Sequence, residues 1–168
     1  PIVFLHPEGS EFWSDWHQYN VDRLLHRGMI SPEDLSLYKV TSSVEEAANE
    51  VRDFYRRYHS MRYVRDRLVV RLEAAISEEE VELLNEEFAD ILKSGKIEPT
   101  LALPEEHDKT ISHLPRIKFH FRRRAFGRLR ELINRLNSFD LPEHSSIEVP
   151  EAGEGGHLPS EMDEGSDN

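Results

Sequence analysis

Arginine carries most of the chemistry available to this chain. Residues 52–71 hold seven arginines against Asp53 and Asp66, and residues 116–135 hold eight Lys or Arg against Glu131. A guanidinium is a rigid fork of N–H donors that matches a phosphate or carboxylate through parallel hydrogen bonds. Arg56, Arg57, Arg62, Arg122, Arg123 and Arg124 are therefore candidate anion-binding residues. A simpler alternative stands beside this one. Residues 73–90 hold eight acids and no base, so neutralisation between neighbouring elements would occupy the arginines internally.

Other catalytic chemistries find little support. The chain has no cysteine, which excludes disulfides, thiolate catalysis and cysteine-ligated metal. None of its nine histidines stands in an H-E-x-x-H pattern, and Glu105-Glu106-His107-Asp108 falls in a proline-flanked stretch expected to be solvated, so no metal ligand is assigned. There is no G-x-S-x-G, Walker or G-x-G-x-x-G segment. No catalytic residue and no cofactor are assigned. The strand-like run Arg116–Phe121 interleaves basic and aromatic residues, which invites an RNA-binding reading. Alternation, however, puts Ile117, Phe119 and Phe121 opposite the charges, as core, and the run does not fit the RNP1 pattern. Nucleic-acid binding is accordingly the weaker reading.

These residues need elements to position them. Pro1–Leu5 reads as a short buried strand, followed by a turn at His6–Gly9 and a helix, capped by Ser10, that carries Trp13, Trp16, Val21, Leu24 and Leu25 and ends at Gly28. Ser31-Pro32-Glu33-Asp34 starts a brief helical turn, Leu37–Val40 a strand, and Ser42-Ser43 with Glu45-Glu46 a helix whose apolar stripe runs from Val44 to Tyr58. Next come a strand at Arg67–Leu72, a helix opened by Ser77 and stopped by Gly95, a connection over 97–115, the strand Arg116–Phe121 and a helix bearing Phe126 to Leu136. Strand alternating with helix predicts an α/β chain. In an open α/β sheet, ligands sit beyond the carboxyl ends of the strands. His6, Glu8, Gly9 and Ser10, with Trp13 behind them, thus become the candidate edge of a nucleotide pocket. The plainer alternatives are a loop with a helix cap, and packing of Trp13 and Trp16 against core or partner.

Several segments resemble the LONELY GUY (LOG) family of phosphoribohydrolases. Pro1–Leu5, Gly9–Trp13, Arg27-Gly28-Met29-Ile30 and Val40–Val51 look like that family's last strand and flanking helices. Phe54–Val64, Leu84-Asn85 and Arg123–Arg130 look like the extension of longer bacterial members. The resemblance implies a Rossmann-like fold that binds a nucleoside 5′-monophosphate and hydrolyses its N-glycosidic bond, usually as a dimer. The family's P-G-G-x-G-T-x-x-E segment, whose glycine amides cradle phosphate and whose glutamate assists catalysis, does not occur in these 168 residues. It is expected upstream of Pro1, so no family catalytic residue is carried over, and the chain on its own is expected to be inactive. The non-enzymatic alternative is an oligomerisation or anion-sensing module.

The resulting expectation is the carboxyl-terminal part of a Rossmann-like parallel sheet over 1–53, an α+β extension over 54–140 and an acidic disordered tail over 141–168. The opening on proline inside an apolar run suits a fragment. The net charge of −12 is concentrated at the end: nine acids and no Lys or Arg lie in residues 138–168. Such a stretch buries too little apolar surface to offset its ordering entropy. No run approaches the roughly 20 apolar residues of a membrane span, so the expectation is a cytoplasmic homo-oligomer without membrane contact.

Overall fold

A four-residue apolar strand needs backbone partners, and Ile2–Leu5 (β1) finds them by pairing in parallel with Tyr38–Thr41 (β2), Ile2 opposite Tyr38 and Leu5 opposite Thr41. The computed structural model describes residues 1–141. The expected acidic tail therefore lies outside the described residues, apart from its first. Parallel neighbours require a long crossover. It consists of helix Phe12–Tyr19 (α1), a π-helical continuation Asn20–Leu25 and the 3-10 helix Pro32–Leu37. Gly28, at φ 67°, ends the helical stretch as its position implies. Ser31 N–H donates to the Asp34 carboxylate at 2.9 Å, and Pro32 takes the first helical position. The expected Ser10 cap is not formed. Ser10 N–H instead donates to the Pro7 carbonyl at 3.1 Å and closes the preceding turn, leaving Glu11 at the cap position without a side-chain bond.

The next helix, Val44–Phe54 (α2), starts where the Ser43 hydroxyl accepts the Glu46 N–H at 3.2 Å. It ends at Phe54, short of the expected Tyr58. Tyr58 instead opens a strand, Tyr58–Val64 (β3), where the sequence predicts none. A two-residue turn, with Arg65 at φ 56°, leads into Arg67–Leu72 (β4), and the two strands pair antiparallel. Helix Glu78–Glu87 (α3) has the expected capping box: Glu80 N–H donates to Ser77 Oγ at 3.2 Å and Ser77 N–H to the Glu80 carboxylate at 2.8 Å. After a 3-10 turn, Leu92–Thr100 forms a second unexpected strand (β5). Gly95 does not stop a helix; it sits inside β5 at φ 73°, within an irregular register between Ser94 and Glu98. Asn85 of α3 holds that irregularity, accepting the Ile97 N–H at 2.8 Å and donating to the Ile97 carbonyl at 2.9 Å. Arg116–Phe121 (β6) and helix Phe126–Ser138 (α4) complete the described chain.

The fold is thus mixed α/β: the parallel pair β1-β2, then an antiparallel sheet in the order β3-β4-β6-β5. Leu68, Val70 and Leu72 of β4, with Ile117, Phe119 and Phe121 of β6, form one face of the core. Leu84 and Phe88 from the α3 region and Leu129, Leu132, Ile133 and Leu136 from α4 cover that face. Burial of each such side chain contributes roughly 1.5–3 kcal/mol. Two contacts tie α4 to what precedes it. Gly127 lies so close to the 3-10 helix that an added Cβ would stand 2.6 Å from Asp34 N, and the Ser36 hydroxyl donates to the Gly127 carbonyl at 3.1 Å. At the other end the Asn137 carboxamide accepts the N–H groups of Arg57 (2.8 Å) and Tyr58 (3.0 Å) and donates to the Phe54 carbonyl (2.7 Å), bridging the turn from α2 into β3.

Candidate functional site

The turn expected to edge a nucleotide pocket stands at the carboxyl end of β1. His6 N–H donates to the Thr41 carbonyl at 3.2 Å, extending the parallel pairing by one bond. Pro7–Ser10 then forms a β-turn with Gly9 at φ 80°, a conformation that glycine adopts without a Cβ penalty. His6 Nδ1 lies 3.1 Å from the Pro7 carbonyl, and Glu8 and Gly9 are exposed. Trp13 is not free to receive a base on its Phe4 side. Its ring stacks on Phe4 at 4.3 Å, and Trp16 meets Tyr38 edge-on at 5.0 Å, which is aromatic packing between α1 and the parallel pair.

The arginines separate into two populations. Arg57, Arg65, Arg67, Arg71, Arg116, Arg128, Arg130 and Arg135 each have a carboxylate partner within 4.0 Å. Three of those partners, Glu80, Glu87 and Asp90, come from the acidic stretch 73–90, so neutralisation between neighbouring elements accounts for Arg57, Arg128 and Arg135. Arg57 is the one candidate anion ligand in this population. Its side chain is 1% exposed, and its two terminal nitrogens donate to Glu80 at 2.8 and 2.9 Å, with a further bond to the Ala75 carbonyl. No face is left to it for a ligand. Arg56 and Arg62 are exposed on separate parts of the surface, Arg56 donating to the Asn137 carbonyl at 3.3 Å.

Arg122, Arg123 and Arg124 are different. They occupy the turn between β6 and α4, held by Arg124 N–H and Ala125 N–H donating back to the Arg122 carbonyl at 2.6 and 3.0 Å. None has a carboxylate partner among the described residues, although Arg123 lies 4.3 Å over the Tyr63 ring. They line an open cleft of about 1110 Å3 with Lys93 and Ser94 of β5, His120 of β6, and Ser31 and Glu33 ahead of β2. Of its other two acids, Asp90 is paired, accepting both Nε and a terminal nitrogen of Arg128 at 3.0 Å, while the exposed Asp66 carboxylate lies 3.2 Å from the His120 ring. The bidentate bond to Arg128, the largest influence, holds the Asp90 carboxyl below its usual range; the same bond raises Arg128. The consecutive triplet is legible in the sequence, whereas Lys93 is not, because Gly95 and Pro99 give the stretch around it the pattern of a helix end and a loop.

The stretch expected to be solvated contains a buried carboxylate. Glu106 has a side chain only 1% exposed, with Arg71 Nε at 3.0 Å from Oε1 and Arg116 Nε at 2.8 Å from Oε2. Burial by itself raises its pKa; the Leu103 N–H and the two guanidinium groups outweigh that and hold it below the ordinary carboxylate range. The triad pins residues 101–115 against the sheet. Among the described residues, no three His, Asp or Glu side chains converge as a metal site, and no helix is long and apolar enough to cross a membrane. The buried rings of Phe119 and Phe121 offer no stacking platform to a nucleic acid.

Fold and site together define a mixed α/β protein with an arginine-lined cleft beside its antiparallel sheet. Comparison with protein families, with curated proteins and with solved structures finds no match to this chain.

Proposed function

We propose that this chain is part of a nucleotide-binding protein of the LOG type, whose parent hydrolyses the N-glycosidic bond of a nucleoside 5′-monophosphate to a free base and ribose 5-phosphate. The observation that carries the reading is the parallel pair β1-β2, closed by a helical crossover, with the Pro7–Ser10 turn at the carboxyl end of β1. That is the end of a parallel sheet at which nucleotides bind in α/β proteins. In this reading the parallel pair completes a Rossmann-like sheet, the His6–Ser10 turn contributes one edge of the pocket, and the phosphate-cradling glycine loop comes from preceding chain. The exposed apolar residues Ile2, Leu5 and Phe12, clustered around the same strand and helix, favour a further strand or a second subunit beside β1.

The test is a base-release assay on the full-length parent with the four common nucleoside 5′-monophosphates, run beside the 168-residue chain. Free base is expected from the parent and none from the chain alone. Absence of both base release and nucleotide-dependent thermal stabilisation in the parent would overturn the reading.

A further inference from the structure

Most arginines in this chain have a structural reason to be where they are. The exceptions that stand together are Arg122, Arg123 and Arg124, and their position calls for an explanation. Three adjacent cations repel one another, yet the turn between β6 and α4 fixes all three at one cleft through backbone bonds to the Arg122 carbonyl. Lys93, from the neighbouring strand β5, adds a fourth cation there that also has no carboxylate within ion-pair distance among the described residues. The lining acids offset only part of this charge: Asp90 is paired with Arg128, and Asp66 and Glu33 remain as two negative charges against the four cations Lys93, Arg122, Arg123 and Arg124.

We propose that this cleft binds a compact ligand bearing two or more phosphate groups, with Arg122, Arg124 and Lys93 as its principal donors. Arg123 is held in place by the Tyr63 ring, an arrangement that leaves the edge of a guanidinium plane open to accept a phosphate. A volume of about 1110 Å3 accommodates a nucleotide-sized molecule. An extended polyanion fits less well. Single-stranded nucleic acid follows a continuous basic groove with stacking rings, whereas Glu33, Asp66 and Asp90 interrupt the basic surface here and the phenylalanines of β6 are buried.

The location separates this site from the proposed substrate pocket. Ser31 and Glu33 precede β2 and so stand on the side of its amino end, whereas the His6–Ser10 turn follows the carboxyl end of β1. The cleft is built on α4, and α4 is packed through Gly127 onto the 3-10 helix that leads into β2. A ligand there would bear on the parallel pair through that contact, as a regulator of the parent rather than as its substrate. The binding proposal does not rest on the hydrolase reading: the chain can bind a polyphosphate whether or not its parent releases base.

The experiment is calorimetric titration of the 168-residue chain at low ionic strength with inorganic tripolyphosphate, and with orthophosphate as the single-phosphate comparison. Tripolyphosphate is expected to bind at least about tenfold more tightly than orthophosphate. Arg122→Gln/Arg124→Gln and, separately, Lys93→Gln should each weaken tripolyphosphate by about tenfold or more, with Arg122→Lys/Arg124→Lys, which keeps the charge but loses the forked geometry, weakening it less than the glutamine pair does. Arg62→Gln, an exposed arginine on β3 that does not line the cleft, should change it less than about twofold. The proposal is overturned by equal weakening in Arg62→Gln, by no preference for tripolyphosphate over orthophosphate, or by a single-stranded oligonucleotide binding more tightly than tripolyphosphate. Melting curves of each variant guard against misfolding, and the single Lys93→Gln change tests the site if the double variant does not fold.

Discussion

Arg116 donates to Glu106 at 2.8 Å with side chains 0% and 1% exposed, an ion pair from which water is almost wholly excluded. Such a pair is maintained only when its remaining donors are also satisfied. Arg116 meets that condition by giving its terminal nitrogens to the Leu114 and Ile111 carbonyls, the latter at 2.9 Å. Arg71 completes the arrangement from β4, and the Leu103 N–H, at 3.1 Å from Oε2, fixes the carboxylate from its own loop. Glu106 is therefore the point at which residues 101–115 are fastened to the sheet.

Removing that point leaves two buried cations without their anion. Glu106→Ala is expected to destabilise the fold by about 3–5 kcal/mol. Glu106→Gln, which retains the shape but not the charge, should also be destabilising. Urea denaturation measures the loss. Limited proteolysis should show new cleavage within 101–115 before the rest of the chain is cut; a wild-type cleavage pattern in Glu106→Ala would contradict the fastening role.

Acid should act through the same carboxylates. Glu80 and Glu106 are held below their ordinary range because hydrogen bonds and arginine partners outweigh burial, and Asp90 because of Arg128. A carboxyl with a depressed folded-state pKa binds fewer protons folded than unfolded, so its stabilisation is present above the unfolded value of about 4 and is lost as pH falls through the folded value. The melting temperature is expected to hold through neutral pH and drop steeply below about pH 4. Glu106→Gln should show a shallower acid dependence than wild type.

Gly127 is the third test. A methyl group there would collide with the backbone of Glu33 and Asp34, and backbone cannot rotate away as a side chain can. Gly127→Ala is expected to cost about 1–3 kcal/mol despite the better helix propensity of alanine. Chemical denaturation gives the magnitude. Equal or greater stability than wild type would mean that the helix and the 3-10 turn can separate freely.

Local chemistry made part of this molecule legible from residue types alone. The capping box at Ser77–Glu80, the cap at Ser43, the left-handed Gly28 and the alternation of Ile117, Phe119 and Phe121 depend on contacts within a few residues, and the mixed α/β class follows from their order. The Arg122–Arg124 triplet was legible for the same reason: its charges are consecutive. Strands β3 and β5 are not legible in the sequence. Tyr58–Val64 mixes polar and basic residues without alternation and becomes a strand by pairing across a two-residue turn with β4, whereas Leu92–Thr100 carries a glycine and a proline and takes its hydrogen bonds from β6, far along the chain. Only the tertiary structure decided which arginines are occupied. Arg57 and Arg122 look alike in sequence, but Glu80 folds against the first, 23 residues away, whereas no carboxylate among the described residues comes within ion-pair reach of the second. Sequence records how many opposite charges exist. Which of them meet depends on long-range packing, and that leaves Lys93 and Arg122–Arg124 facing one cleft.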